Sequence, residues 1–279
     1  MRIGEINVRL IGDGTLRLDG GAMFGVIPKP MWEQKAPADE RNRILLAMNI
    51  LLIEAAGKRI LVETGAGEKW DAKSTTIYAI ETSNRLPERL KAAGVRPEEI
   101  DIVINTHLHF DHCGGNTKIE NGRLMPAFPR AKYIVQRGDF DHALAPTERD
   151  RASYIADNIT PMRDTKQWEL LNGDVEIVPG VELIVVPGHT GNMQCVKLSG
   201  GGQTAIFLAD LVPMAAHLGL PWIMGFDLYP LTTLEQKKKW LPKIARENWT
   251  VFFAHDTQAP VVKLKETAHG FEATPVAME

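Results

Sequence analysis

The residues with the clearest chemical capacity are Thr106-His107-Leu108-His109-Phe110-Asp111-His112-Cys113-Gly114-Gly115-Asn116. Three imidazoles and one carboxylate fall between His107 and His112, directly after the apolar run 101–106. In an extended segment, alternation places His107, His109 and Asp111 on one side. A turn begun at Gly114-Gly115 then swings His112 toward the same point. Imidazole nitrogen and carboxylate oxygen are the donors that borderline divalent ions such as zinc prefer. A lone histidine is ordinarily solvated or hydrogen-bonded to its surroundings. Here five of the eight histidines follow apolar, strand-like runs. His189 ends Val185-Val186-Pro187-Gly188-His189, Asp210 ends Ile206-Phe207-Leu208-Ala209-Asp210, and His255 ends Phe252-Phe253-Ala254-His255. A charge at a buried strand end is costly unless paired or bound to metal, so these positions call for a common partner.

The elements that must carry them follow from periodicity. Residues 3–18 alternate loosely around Gly12-Asp13-Gly14 and read as strand, turn, strand. Residues 19–25, followed by Pro28, Pro30 and Pro37, read as an irregular functional loop. Residues 45–53 and 59–63 form a hairpin of buried strands, and 86–93 a short helix closed by Gly94. Residues 101–106, 131–136, 182–186, 194–198, 204–208 and 249–254 read as further strands. A polar, helix-patterned stretch at about 138–171, broken by Pro146 and Pro161, reads as an insertion over one face. Residues 233–248 form a helix with Thr232 or Thr233 as N-cap. Hairpins mixed with helices predict an α/β chain of layered sheets covered by helices.

Composition removes several classes. Hydrophobic content of 44% and charged content of 24% are those of a soluble globular protein. A net charge of −3 offers no electrostatic grip on nucleic acid or an anionic membrane. Two cysteines, Cys113 and Cys195, do not make a disulfide scaffold and read as small buried fillers. There is no signal-like or membrane-length apolar run, so the chain reads as cytoplasmic.

The succession His-X-His-X-Asp-His, Gly-His-Thr, Leu-Ala-Asp and Ala-His-Asp resembles the metallo-β-lactamase superfamily, in order and over most of the chain. The resemblance implies a four-layer αββα sandwich, two mixed sheets with helices outside, the site at one edge, and residues 1–279 as one such domain. It implies two divalent ions, zinc first, with iron, manganese or cobalt as alternatives. His107, His109 and His189 would hold one ion. Asp111, His112 and His255 would hold the other, with Asp210 bridging. Glu63 stands where the family usually has an aspartate supporting the ligands. Two such ions lying about 3.5 Å apart share a hydroxide of lowered pKa that attacks a carbonyl or phosphorus centre. Asp111 is then either a ligand only or also the proton carrier to the leaving group.

Asp111 in place of a cysteine ligand, and the segment Leu211-Val212-Pro213-Met214-Ala215-Ala216-His217, resemble the lactonase and organophosphate-hydrolase branches. Familiar homoserine-lactone lactonases carry tyrosine three residues after the bridging aspartate, where this chain has Pro213. The expected substrate is a small lactone or ester with an apolar acyl or aryl part, an aryl phosphotriester being the alternative. Met23, Phe24, Met214, Leu218, Leu220, Trp222, Ile223 and Met224 are candidates to line its mouth, or to pack a core or a subunit interface. His217 is a candidate hydrogen-bond donor to substrate, or a surface residue. The 138–171 insertion and the N-terminal loop are each candidates for a homodimer contact.

Other classes fit less well. Flavin-linked diiron oxidoreductases carry glutamate where this chain has His109. Nucleases of this fold need an RNA-docking arm, and a non-catalytic relative would have lost ligands. A glyoxalase II needs a basic helical C-terminus, whereas residues 258–279 are short and hold only Lys263 and Lys265 as basic side chains.

Overall fold

The computed structural model describes residues 1–81, 83 and 85–278. Two seven-stranded sheets face each other. The first runs, in spatial order, Arg2–Ile3, Ile6–Asp19, Arg43–Ala55, Lys58–Val62, Ile102–Ile104, Lys132–Gln136 and Trp168–Leu171. The second runs Val175–Val178, Val181–Val185, Gln194–Gly200, Gln203–Phe207, Thr250–Phe252, Val261–Thr267 and Gly270–Pro275. Neighbours are antiparallel except along Lys58–Val62, Ile102–Ile104, Lys132–Gln136 and Trp168–Leu171, which run parallel to one another out to the sheet edge, and between Gln203–Phe207 and Thr250–Phe252.

One apolar core joins the inner faces: Val8, Ile53, Val62 and Ile104 from the first sheet meet Leu183, Val196, Phe207 and Phe252 from the second. Ile50, Leu52, Leu61 and Val103 turn to the opposite face and pack under Leu86 and Leu90 of the helix Leu86–Ala92. Trp240, Leu241 and Ile244 of the helix Pro230–Arg246 join the main core. The sequence 50–53 is apolar throughout because both of its faces are covered. The result is the helix–sheet–sheet–helix layering of the expected αββα class.

Several local expectations are corrected. Residues Ile6–Asp19 are one continuous strand. Gly12-Asp13-Gly14 makes a register shift within it, not a turn, because the buried Asp13 carboxylate there receives Arg85 and the backbone N–H groups of Gly67 and Leu86. The glycine- and proline-rich run holds two short helices, Gly20–Phe24 and Lys29–Trp32, the first capped by the Asp19 carboxylate on the Ala22 N–H at 2.8 Å. The long helix begins at Pro230, three residues early. Thr233 is buried inside it and bonded to Asp227 rather than capping it. Trp168–Leu171, assigned to the helical insertion, is the edge strand of the first sheet.

The hairpin Thr117–Glu120/Arg123–Pro126 was not anticipated, although its Asn121-Gly122 turn, with φ of 51° and 73°, carries the usual two-residue signal. The C-terminal residues form a hairpin, Val261–Thr267 with Gly270–Pro275, that extends the second sheet. Among the described residues no helix is long and apolar enough to cross a membrane.

Candidate metal centre

The parallel strand Ile102–Ile104 ends at Asn105-Thr106, and the chain stays extended only as far as His109. The alternation expected to bring Asp111 into line therefore stops short. His109 instead begins the four-residue helix Phe110–Cys113, whose first turn delivers Asp111 and whose last delivers His112. Gly114 and Gly115 close the turn against the loop after Lys58–Val62. A Cβ on Gly114 would collide with the Ala66 carbonyl, and one on Gly115 with the Thr64 carbonyl. Cys113 fills this junction, fully buried, with its thiol pushed well up by burial. Cys195 is equally buried in its strand, so both cysteines are inert fillers.

The other donors arrive from the second sheet. His189 follows Val181–Val185 through a tight turn in which the Gly188 N–H reaches the Thr190 carbonyl at 2.9 Å. Asp210 sits in a single 3₁₀ turn after Gln203–Phe207. His255 follows Thr250–Phe252 and is fixed to the first sheet, its Nδ1–H donating to the Ala47 carbonyl at 2.8 Å.

All seven side chains are buried and meet in one place. His109 Nδ1 lies 3.1 Å from His107 Nε2 and 3.0 Å from His189 Nε2. His255 Nε2 lies 3.2 Å from His112 Nε2, with Asp111 Oδ2 at 3.8 Å from His112 Nε2 and 3.7 Å from His255 Nε2. Asp210 spans the two groups, Oδ2 at 3.3 Å from His189 Nε2 and Oδ1 at 3.5 and 3.2 Å from His112 and His255 Nε2.

Outer hydrogen bonds fix the tautomers. His189 Nδ1–H donates to Asp227 at 3.0 Å, as His255 Nδ1–H does to Ala47, so in the neutral rings both Nε2 lone pairs point inward. Converging lone pairs about 3 Å apart repel unless a proton or a cation lies among them. His107-His109-His189 and Asp111-His112-His255 thus each meet the geometric requirement for holding an ion. Among the described residues Asp210 Oδ1 is buried without a hydrogen-bond partner, as a carboxylate suited to a cation would be. Glu63 accepts the Thr106 N–H at 3.1 Å and places Oε1 at 3.5 Å from His112 Nδ1.

The charges agree with this picture. Burial pushes His107 and His109 well below the usual imidazole range. Burial opposes the charged forms of His112, His189 and His255 too, but the Asp210 carboxylate overrides it and raises all three. Burial works against the Asp210 anion, yet these three rings hold it well below the ordinary carboxylate range.

The sequence profile of the metallo-beta-lactamase superfamily matches residues 44–255. The chain belongs to that superfamily. An N-acyl homoserine lactonase from Bacillus thuringiensis is 28% identical over 228 residues, covering 74% of this chain and 80% of the relative. A probable metal-dependent hydrolase from Staphylococcus aureus superposes with a TM-score of 0.92 at 27% identity, covering 100% of this chain and 99% of the other. A dizinc quorum-quenching lactonase, AidC, shares the fold at 20% identity, with a TM-score of 0.83 over 100% of this chain and 97% of that one. As a member of this superfamily with such relatives, the protein is a metal-dependent hydrolase.

A cleft of about 360 Å³ opens over the donors, and His109, Asp111, His189, Asp210 and His255 form part of its wall. Of the residues named as candidates for a substrate mouth, Met23 and Met224 border this cleft and the remaining ones do not. Phe24 is fully buried and stacks on His217 and Trp32, with ring centroids 4.5 and 5.3 Å apart, while Trp222 meets it edge-on. His217 is a buried core residue whose Nε2–H donates to the Met23 carbonyl at 2.8 Å, neither at the surface nor in the cleft. Met214 and Leu218 border a separate groove. Sequence reasoning missed Leu46, Ile77, Tyr78, Phe110 and Phe226 in the wall, and Asp227 behind His189. Phe110, inside the histidine motif, was the one whose position offered a signal.

Proposed function

We propose that this protein is a lactonase that holds two divalent metal ions and opens acyl-homoserine lactones by hydrolysis. The observation that carries the proposal is the convergence of seven buried donors beneath an apolar cleft. The lactonase relatives support the substrate class. In this reading His107, His109 and His189 hold one ion, Asp111, His112 and His255 the other, and Asp210 reaches both. The nitrogen-rich donor set favours zinc, with iron, manganese and cobalt as the other matches. Both halves of residues 1–279 contribute donors, which supports reading them as a single domain, with the segment 138–167 inserted ahead of the edge strand Trp168–Leu171.

Divalent ions held by these residues would supply Lewis acidity and a bound water of lowered pKa. The protein's own residues do the rest. Asp227 and the Ala47 carbonyl hold the His189 and His255 rings in the tautomers that aim Nε2 inward. The wall formed by Leu46, Ile77, Phe110, Met224 and Phe226 takes the acyl part and keeps water from it. As the acyl–oxygen bond breaks, a hydroxyl group joins the carbonyl carbon and the ring oxygen leaves with a proton. Asp111, which faces the cleft, carries that proton.

Aryl esters or aryl phosphotriesters are the second reading, favoured by the aromatic side chains of Tyr78, Phe110 and Phe226 in the wall and by Pro213 where the familiar lactonases carry tyrosine. The test is metal content together with turnover of hexanoyl-homoserine lactone, an aryl ester and an aryl phosphotriester. About two ions per chain, and lactone opening that is lost on chelation and restored by zinc, are expected. Turnover of the aryl substrates alone moves the assignment to the second reading. A chain that takes up less than one ion and hydrolyses none of the three overturns both.

A further inference from the structure

Apart from the metal donors, three charged side chains border the cleft: Arg17, Asp19 and Arg43. Two of them are committed. Asp19 accepts from the Ala22 N–H at 2.8 Å and the Asn42 side chain at 2.9 Å. Arg43 pairs with Asp39 at 2.8 Å and donates to the Thr76 and Ile77 carbonyls at 2.9 and 2.6 Å. Among the described residues the Arg17 side chain makes a single hydrogen bond, Nη1–H donating to the Arg43 carbonyl at 3.3 Å, and no ion pair with a carboxylate. Most of its N–H donors are therefore free in an otherwise largely apolar wall.

Arg17 also borders a second groove of about 750 Å³, whose apolar part includes Leu45, Met214, Leu218 and Phe271. Arg17 is the residue common to the walls of both cavities. Along the sheet, Arg17 is the cross-strand partner of Leu45, so its backbone stands two residues of strand, about 7 Å, from the position of Ala47, whose carbonyl holds His255.

We propose that Arg17 determines substrate specificity. Its guanidinium donates to a carbonyl oxygen between the reacting lactone and the acyl tail, and the tail continues past it into the second groove. The substrate class is then a lactone bearing an amide and an apolar chain, in preference to a bare lactone. The inference rests on the lactonase reading for its substrate and is tested by a comparison that separates the two.

Wild type, Arg17→Leu and Arg17→Lys, matched for metal content and thermal midpoint, are assayed on hexanoyl-homoserine lactone and on an unsubstituted caprolactone. Arg17→Leu is expected to raise KM for the amide-bearing lactone about tenfold with kcat within about twofold, since a hydrogen bond from a charged donor is lost. Caprolactone kinetics stay unchanged, and Arg17→Lys falls between. Equal effects on both substrates, or none on either, overturn the role of Arg17. If the wild type opens neither lactone, the lactonase reading falls. Calorimetric titration of the metal-free proteins with hexanoyl-homoserine lactam then decides Arg17 separately. About tenfold weaker binding by Arg17→Leu supports the contact, while equal or absent binding removes it.

Discussion

The carboxylate of Asp227 joins His189 to the long helix: His189 Nδ1–H donates to one oxygen at 3.0 Å, and the Thr233 hydroxyl donates to the other at 2.6 Å. Asp227 and Thr233 are both buried, so the link is shielded from water. It fixes which ring nitrogen of His189 carries the proton and directs Nε2 at His109 and Asp210.

Replacing Asp227 with alanine frees the ring to rotate and change tautomer. Loss of such an outer partner typically weakens metal binding by about 10–100-fold. Competition against a chelating dye measures it directly. An Asp227→Ala protein that holds its ions as tightly as wild type would refute the orienting role.

His217 gives the fold an acid sensitivity of its own. Burial pushes its imidazole down to about 3, against the lesser opposing effect of its bond to the Met23 carbonyl. The unfolded chain takes up that proton near 6.5. Between these values the unfolded state binds more protons, so stability falls as pH falls from about 6.5 toward 3, by at most about 1.4 kcal/mol per pH unit from this group. Urea midpoints at pH 7 and pH 5 should fall further apart in wild type than in His217→Gln. Parallel losses in the two proteins would assign the acid sensitivity elsewhere.

Lys237 is fully buried in the long helix, and its Nζ donates to the carbonyls of His217, Gly219 and Trp222 at 2.7, 2.6 and 2.9 Å. Three donors meeting three acceptors pin the segment that leads to Met224 at the cleft. Lys237→Met retains the volume but removes the donor of the His217 and Trp222 carbonyls and leaves the Gly219 carbonyl with the Trp222 N–H alone, a cost of about 3 kcal/mol. Thermal unfolding should show a midpoint several degrees lower, and limited proteolysis should cut between 217 and 224 first. An unchanged midpoint would mean that the segment is held by its other contacts.

The αββα layering was legible because long apolar runs and hairpin turns constrain a chain strongly. Residues 50–53 and 101–104 had to be covered on both faces, and Ala56-Gly57, with φ of 49° and 72°, could close a tight hairpin. Weaker signals misled. Gly12-Asp13-Gly14 has turn composition, but the buried Arg85 gives Asp13 a partner across 72 positions of sequence and keeps the strand continuous. Trp168–Leu171 looked helical because a strand of four residues is too short to establish a period of its own.

By itself the sequence determined which residues could act: a clustered motif and three strand-terminal donors are local facts, readable wherever an apolar run ends in histidine or aspartate. Glu63 was singled out only through the family resemblance, and the structure sets its side chain against Thr106 and His112. Only the tertiary structure decided what surrounds them. Asp227 meets His189 across 38 positions, Ala47 meets His255 across 208, and the cleft wall is drawn from segments far apart in the chain. Local periodicity tells a residue whether it faces inward. Which partner waits there is set by how two sheets twist and stack, and that involves every strand at once.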